Sequence, residues 1–184
     1  MILIVGLGNP GEQYKNTRHN IGQKIVMNFA ENFNFPSFKL NKNFKAEISK
    51  KDEVCLVIPT TFMNESGLAV KKIVSDFQNL WVVHDDMDLP LGKIRISINR
   101  SSAGHNGVQS IIDNLKTQDF VRFRIGIKPQ VNDQTRASKK AMDLVLKNFS
   151  VGEKKLLKQA EESAIEAISM AMEQGIEKTM SLYN

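Results

Sequence analysis

Cysteine is almost missing from this chain of 184 residues. The single Cys55 excludes an internal disulfide and cannot make a zinc site alone; in the apolar run Val54–Ile58 it reads as a core residue. No apolar stretch approaches the roughly 18 residues of a membrane helix, so neither a membrane span nor a membrane partner is expected. The opening Met1–Gly11 is apolar but is broken by Gly6, Gly8 and Pro10. It lacks a basic flank and a small-residue cleavage site, so it does not read as a signal peptide and a cytoplasmic location is expected. There is also no repeat, no low-complexity tract and no Pro/Gly/Ser-rich linker. Residues 1–184 therefore read as one domain, long enough to bury a real core.

What is present is an ordinary globular composition, 41% hydrophobic and 24% charged. Lys and Arg exceed Asp and Glu to give a net charge of +5. That permits a polyanionic partner without requiring one.

Met1–Gly6 is a short apolar run closed by glycine, a buried strand. Ile21–Phe33 carries Ile21, Ile25, Val26, Phe29, Ala30 and Phe33 at helical spacing. Phe44–Ser49 and Val54–Ile58 read as two strands around a Lys50–Asp52 turn. Asn64–Phe77 reads as a helix, Leu80–Val83 as a buried strand ended by His84, and Gly107–Leu115 as a helix. Lys93–Ile98 and Val121–Ile127 alternate, which predicts strands with Arg95, Ser97, Arg122 and Arg124 on polar faces. Ser150-Val-Gly-Glu153 has the form of a capping box, and a helical stripe follows through Leu157, Ala160, Ala164, Ile168, Ala171 and Met172. Strands interleaved with helices predict an α/β domain: a twisted mixed sheet with helices on both faces.

Gly6-Leu-Gly8-Asn-Pro-Gly11 matches the dinucleotide-binding pattern after a strand. That chemistry needs a helix to begin at once and an acidic residue closing a second strand. Here Gln13–Arg18 has no apolar period, and Glu31, at the right distance, lies inside a predicted helix. The glycines read instead as a sharp turn at the strand's carboxyl end, where ligands gather in open α/β sheets.

The polar candidates sit at element boundaries. His19 and His105 precede helices, His84 leads into Asp85-Asp86-Met87-Asp88, and Asn9 and Asn64 flank other ends. Six stretches carry a resemblance: GLGNPG at 6–11, YKNTRHNIG at 14–22, PTTFMNESG at 59–67, HDDMDLPLGKIRI at 84–96, GHNG at 104–107 and RFRIGI at 122–127. In order and spacing they resemble the bacterial peptidyl-tRNA hydrolases over nearly the whole chain. The resemblance implies ester hydrolysis of peptidyl-tRNA, with His19 as base, Asp85 as its partner, and Asn9, Asn64 and Asn106 binding the peptide and the reacting group. Asn106 is counted with His19 and Asp85 in the catalytic set. Tyr14 is implied in the same site, with Met63 lining or underlying it and His105 at its entrance or capping a loop. No metal or cofactor is expected, and the chain is expected to act as a monomer. A basic tRNA surface is expected from Lys93, Arg95, Arg100, Arg136, Lys139 and Lys140. Arg100 and Ala103 stand where the family usually has glycine, and Ser97 and Gln109 where a basic residue is common.

The chemistry is coherent. A neutral imidazole can take a proton from water near neutral pH, and a carboxylate on its other nitrogen fixes the tautomer. Asn amides can donate to an oxyanion, and their carbonyls can accept peptide N–H groups. Bland readings stand beside this: His84 as structurally satisfied, Asp86 and Asp88 as turn and solvated charges, and Gln130–Lys140 as a solvated basic loop. Two rival functions are a metal-dependent hydrolase built on His84, Asp85, Asp86 and Asp88, and a non-catalytic RNA-binding module.

Overall fold

Ile2–Gly6 (β1) buries Ile4 on one side and Leu3 and Val5 on the other. A strand apolar on both faces belongs inside a covered sheet. In the computed structural model, which describes residues 1–129 and 143–184, β1 is the central strand of seven. The others are Lys39–Asn41 (β2), Ala46–Lys51 (β3), Val54–Pro59 (β4), Leu80–Pro90 (β5), Ile94–Ser97 (β6) and Val121–Lys128 (β7), in the order β2-β3-β4-β1-β5-β7-β6. The adjacent strands β4, β1, β5 and β7 run parallel, and the pairs β2–β3, β3–β4 and β6–β7 are antiparallel. The sheet is thus mixed, as expected.

The helices are Ile21–Asn32 (α1), Ser66–Ile73 (α2), Asn106–Leu115 (α3), Lys154–Gln174 (α4) and Ile176–Tyr183 (α5). One core layer packs α1 and α4 on Ile4, Leu56, Trp81, Val83 and Phe123. The other packs α2 and α3 on Leu3, Val5, Val57, Leu80 and Val82. Helices cover both faces, and Cys55 is buried in the second layer. Among the described residues, no helix is long and apolar enough to cross a membrane.

Several elements differ from the sequence reading. The strand expected to stop at Val83 continues through His84, Asp85 and Asp86, because β7 keeps pairing with it as far as Gly126. The helix expected to reach Phe77 ends at Ile73. Val74 is extended, and Asp76 accepts hydrogen bonds from the Gln78 N–H and the Asn79 amide, a local alternative to helix. Ser97 and Arg122 are buried rather than on polar, solvated faces.

The glycines of the first loop also act differently. A Cβ on Gly22 would lie 2.1 Å from the Val83 carbonyl oxygen, and one on Gly6 would lie 2.7 Å from that of Gly22. Gly6 and Gly22 let α1 start directly against β1 and β5. In GLGNPG only Gly11 adopts the left-handed region, with φ 107°. Close approach, rather than a sharp turn at Gly6, is what carries the chain from β1 to α1.

Candidate active site

β1 ends at Gly6 beside Val83 while β5 runs on, and the close seat of α1 brings the turn Arg18–Asn20 over this stretch of β5 just past the end of β1. His19 sits in that turn, and its Nδ1 lies 2.8 Å from Oδ1 of Asp85. From the other side, His105 at the start of α3 places Nε2 at 2.9 Å from the same oxygen. Asp85 is 1% exposed, so one buried carboxylate oxygen holds two imidazoles.

The hydrogen bonds assign the tautomers. Nδ1 of His105 accepts the N–H groups of Gly107 and Val108 at 3.1 and 3.3 Å, capping α3. Its proton is therefore on Nε2, donated to Asp85. His19 donates Nδ1–H to the same carboxylate, which leaves a lone pair on its Nε2. Burial would raise the Asp85 carboxyl, but the attraction of His105 and then His19, with their hydrogen bonds, outweighs it and holds the group well below the usual carboxylate range.

His84 is edge-on to His105, with ring centroids 4.7 Å apart. It donates Nδ1–H to the Asp85 carbonyl oxygen at 2.6 Å, while its buried Nε2 has no partner among the described residues. Burial first, and His105 second, push its pKa well below the ordinary value. His84 also lines the cavity of this site, with only half its polar capacity satisfied.

His19, Asp85, Met87, Ser102, His105 and Asn106 line a cavity of about 390 Å³. Asn9 is buried beside the turn. Its backbone N–H donates to Asn20 Oδ1 at 2.9 Å, Asn20 Nδ2 donates back to its carbonyl at 2.8 Å, and its own Oδ1 accepts the Met63 N–H at 2.9 Å. Met63 takes one lone pair of that oxygen and orients the amide, whose NH₂ group is a donor and whose oxygen keeps a second lone pair. Met63 is buried, its sulfur filling the space beside Gly107, where a Cβ would lie 2.4 Å from it.

Other expected residues lie apart from this cavity. Asn64 is exposed, and Tyr14 is half-buried in the turn Glu12–Tyr14; neither lines it. Lys93, Arg95 and Arg100 are exposed on and just beyond β6. Arg136, Lys139 and Lys140 lie outside the described residues.

The acidic cluster of the metal reading does not converge. Asp86 is buried and ion-paired to Arg124 at 2.6 Å, not a solvated charge, while Asp88 is exposed. Among the described residues, the group whose donor atoms lie within 4.8 Å of one another is His19, Asp85 and His105. That set is spent on itself: both imidazoles donate to Asp85, and His105 Nδ1 caps α3. What remains is one imidazole nitrogen, His19 Nε2, and the second oxygen of Asp85, fewer than the three protein ligands of a catalytic zinc site.

Sequence reasoning missed Asn20, which locks Asn9, and Arg18, which is 5% exposed and ion-paired to Glu153. Both lie in the TRHN stretch beside His19, but nothing local in the sequence names their partners.

A mixed α/β sheet that buries an aspartate under a histidine with one free nitrogen at the end of its parallel strands is the framework of an acid–base enzyme. The peptidyl-tRNA hydrolase family profile matches residues 3–184, and the chain belongs to that family. Peptidyl-tRNA hydrolases of Thermodesulfovibrio yellowstonii and Caldanaerobacter subterraneus are 41% and 42% identical to it, over all of this chain and 99% and 100% of theirs. A crystal structure of peptidyl-tRNA hydrolase from Acinetobacter baumannii, 28% identical, superposes with a TM-score of 0.90, covering 100% of this chain and 94% of the other.

Proposed function

We propose that this chain hydrolyses the ester joining a peptide to the terminal ribose of tRNA, with His19 as the general base. The observation that carries the assignment is the 2.8 Å contact of His19 Nδ1 with Asp85, which leaves Nε2 free in a residue lining the cavity. Nε2 takes a proton from water as the oxygen attacks the ester carbonyl, and Asp85 stabilises the imidazolium. The tetrahedral intermediate carries an oxyanion, for which Asn106 at the cavity edge and the Asn9 NH₂ are donors. Collapse expels the ribose oxygen, which takes the proton back from His19. The products are a free peptide carboxylate and tRNA with its terminal hydroxyl restored. His105 is a positioning residue that holds Asp85 from behind. No step calls for a metal. The work belongs to the cytoplasm, on peptidyl-tRNA left by abortive translation, and a monomer suffices for it.

Recognition of the acyl group is assigned to Asn9 and Met63 beside the His19 turn, with Asn64 and Tyr14, which lie outside the cavity, left to more distant parts of the peptide. A blocked α-nitrogen offers an amide, whereas a free ammonium brings a desolvation cost. The purified protein should release tRNA from N-blocked aminoacyl-tRNA in EDTA and largely spare free aminoacyl-tRNA. Equal cleavage of the two would contradict this recognition, and loss of activity in EDTA would restore the metal reading.

A further inference from the structure

The residue before His19 has no acid–base task, yet its charge is buried. Nη2 of Arg18 donates to both carboxylate oxygens of Glu153, at 3.0 and 2.8 Å, and Nη1 donates to the Ile127 carbonyl at 3.4 Å. The guanidinium stacks 4.7 Å from the centre of the Phe149 ring. The backbone joins in: the Arg18 N–H donates to the Lys147 carbonyl at 3.0 Å, and Thr17 pairs with Asn148 as an isolated antiparallel bridge. Glu153 also accepts the N–H and the hydroxyl of Ser150, each at 2.8 Å, so one carboxylate joins the capping box to the His19 turn. The same stretch of chain supplies Val145 to the lining of the His19 cavity.

A buried ion pair is poor value as a stabiliser, since apolar residues of similar size often do as well or better. What it supplies is a fixed geometry: Nη2 sits against both Glu153 oxygens, Nη1 against the Ile127 carbonyl and the guanidinium plane against Phe149, so the side chain is restrained from three sides. The turn Arg18–Asn20 is a single turn of 3₁₀ helix, too short to hold itself rigid. It is gripped at both ends, by Asn9 through Asn20 and by Glu153 through Arg18, with His19 between.

We propose that Arg18 is a positioning residue for the hydrolysis: its ion pair with Glu153 and its bond to the Ile127 carbonyl fix the turn so that His19 Nδ1 meets Asp85, and they join that alignment to the cavity wall at Val145. The kinetic part of this rests on the function proposed above; the alignment does not.

The test uses Arg18→Gln, Arg18→Lys, Glu153→Gln and the double variant Arg18→Gln/Glu153→Gln, which leaves no unpaired buried charge and so keeps the fold. Misplacing a base by about an ångström costs about 100-fold. We expect kcat to fall about 10- to 100-fold in the single glutamine variants and in the double variant, with KM within about twofold. Arg18→Lys should fall between these and the wild type, since it keeps the charge without the second nitrogen on Ile127 or the planar stack on Phe149. A direct readout is the imidazole Nδ1–H proton of His19, followed by ¹⁵N-edited NMR on the full chain. It should exchange faster with water in the glutamine variants than in the wild type. A double variant with wild-type kcat, or an imidazole proton unmoved in the glutamine variants, overturns the proposal. Should the wild type itself fail to cleave peptidyl-tRNA, the proposed function falls, and the imidazole proton still decides this inference.

Discussion

Asp85 is the residue on which the site turns. Its Oδ1 receives two imidazole protons, and each of those imidazoles has its other nitrogen already assigned. Asp85→Asn keeps the size but replaces an acceptor-only group by one that can donate. If the amide NH₂ turns toward His19, Nδ1 must accept, and the proton moves to Nε2, where the base is needed. We expect kcat to drop about 10²–10⁴-fold with KM little changed. Steady-state kinetics on N-blocked aminoacyl-tRNA measures this, and a wild-type kcat would make Asp85 structural. Ala103, in the loop before α3, has a φ of 49°, a left-handed conformation that costs an L-residue about 1–2 kcal/mol and that glycine would adopt freely. Arg100 takes no such conformation; the other strained position in that stretch is Asn99, with φ 51°.

The elements show which parts of the sequence were legible. Periodicity found α1, α3 and the long α4 stripe because each buries one regular face, and β1 was legible as a short apolar run buried on both. The capping box at Ser150 was legible too, since it is purely local. It missed β2, whose three residues are mostly exposed, and α5, which follows a break at Gly175, where φ is 88°. It ended β5 at the first charged residue, because His84, Asp85 and Asp86 look like a loop until their partners are seen. Those partners, Arg124 for Asp86 and His19 for Asp85, lie 38 and 66 residues away in the chain. Glu153 shows the same gap: its local role was readable, its ion pair to Arg18 across 135 residues was not. Burial would raise the Glu153 carboxyl, but hydrogen bonds from Arg18 and Ser150 pull it below its ordinary value. A depressed carboxyl stabilises the fold above its unfolded pKa, about 4.3, and loses that contribution as pH falls through the folded pKa. Urea unfolding should therefore find Glu153→Gln less stable than wild type at neutral pH, with the gap closing in acid. A gap of the same size well below pH 4 would show that the carboxylate's ionisation contributes nothing.

For the whole molecule the question is how a polyanion reaches the cavity. The net charge of +5 is modest, and part of the basic set is spent internally. Arg122 is buried on the carbonyls of Arg100 and Ser101, and Arg124 is paired to Asp86. Lys93, Arg95 and Arg100 are exposed, and we assign them with Arg136, Lys139 and Lys140 to the tRNA backbone. Phosphate contacts release counterions, so three or four of them should make apparent affinity fall with salt at a log–log slope of roughly −2 to −4. Removing Arg136 and Lys139 together should raise KM and flatten its salt slope by about one to two units, leaving kcat nearly unchanged. A KM indifferent to salt and to those charges would place the tRNA elsewhere.

All of this depends on one nitrogen, Nε2 of His19. The most direct measurement compares wild type with His19→Ala on N-blocked aminoacyl-tRNA in EDTA, reading kcat by tRNA release and tRNA affinity by direct binding. With the base removed, kcat should fall at least about 10²–10⁴-fold while tRNA binding survives. A variant that turns over at near the wild-type rate would remove His19 from the mechanism and contradict the account.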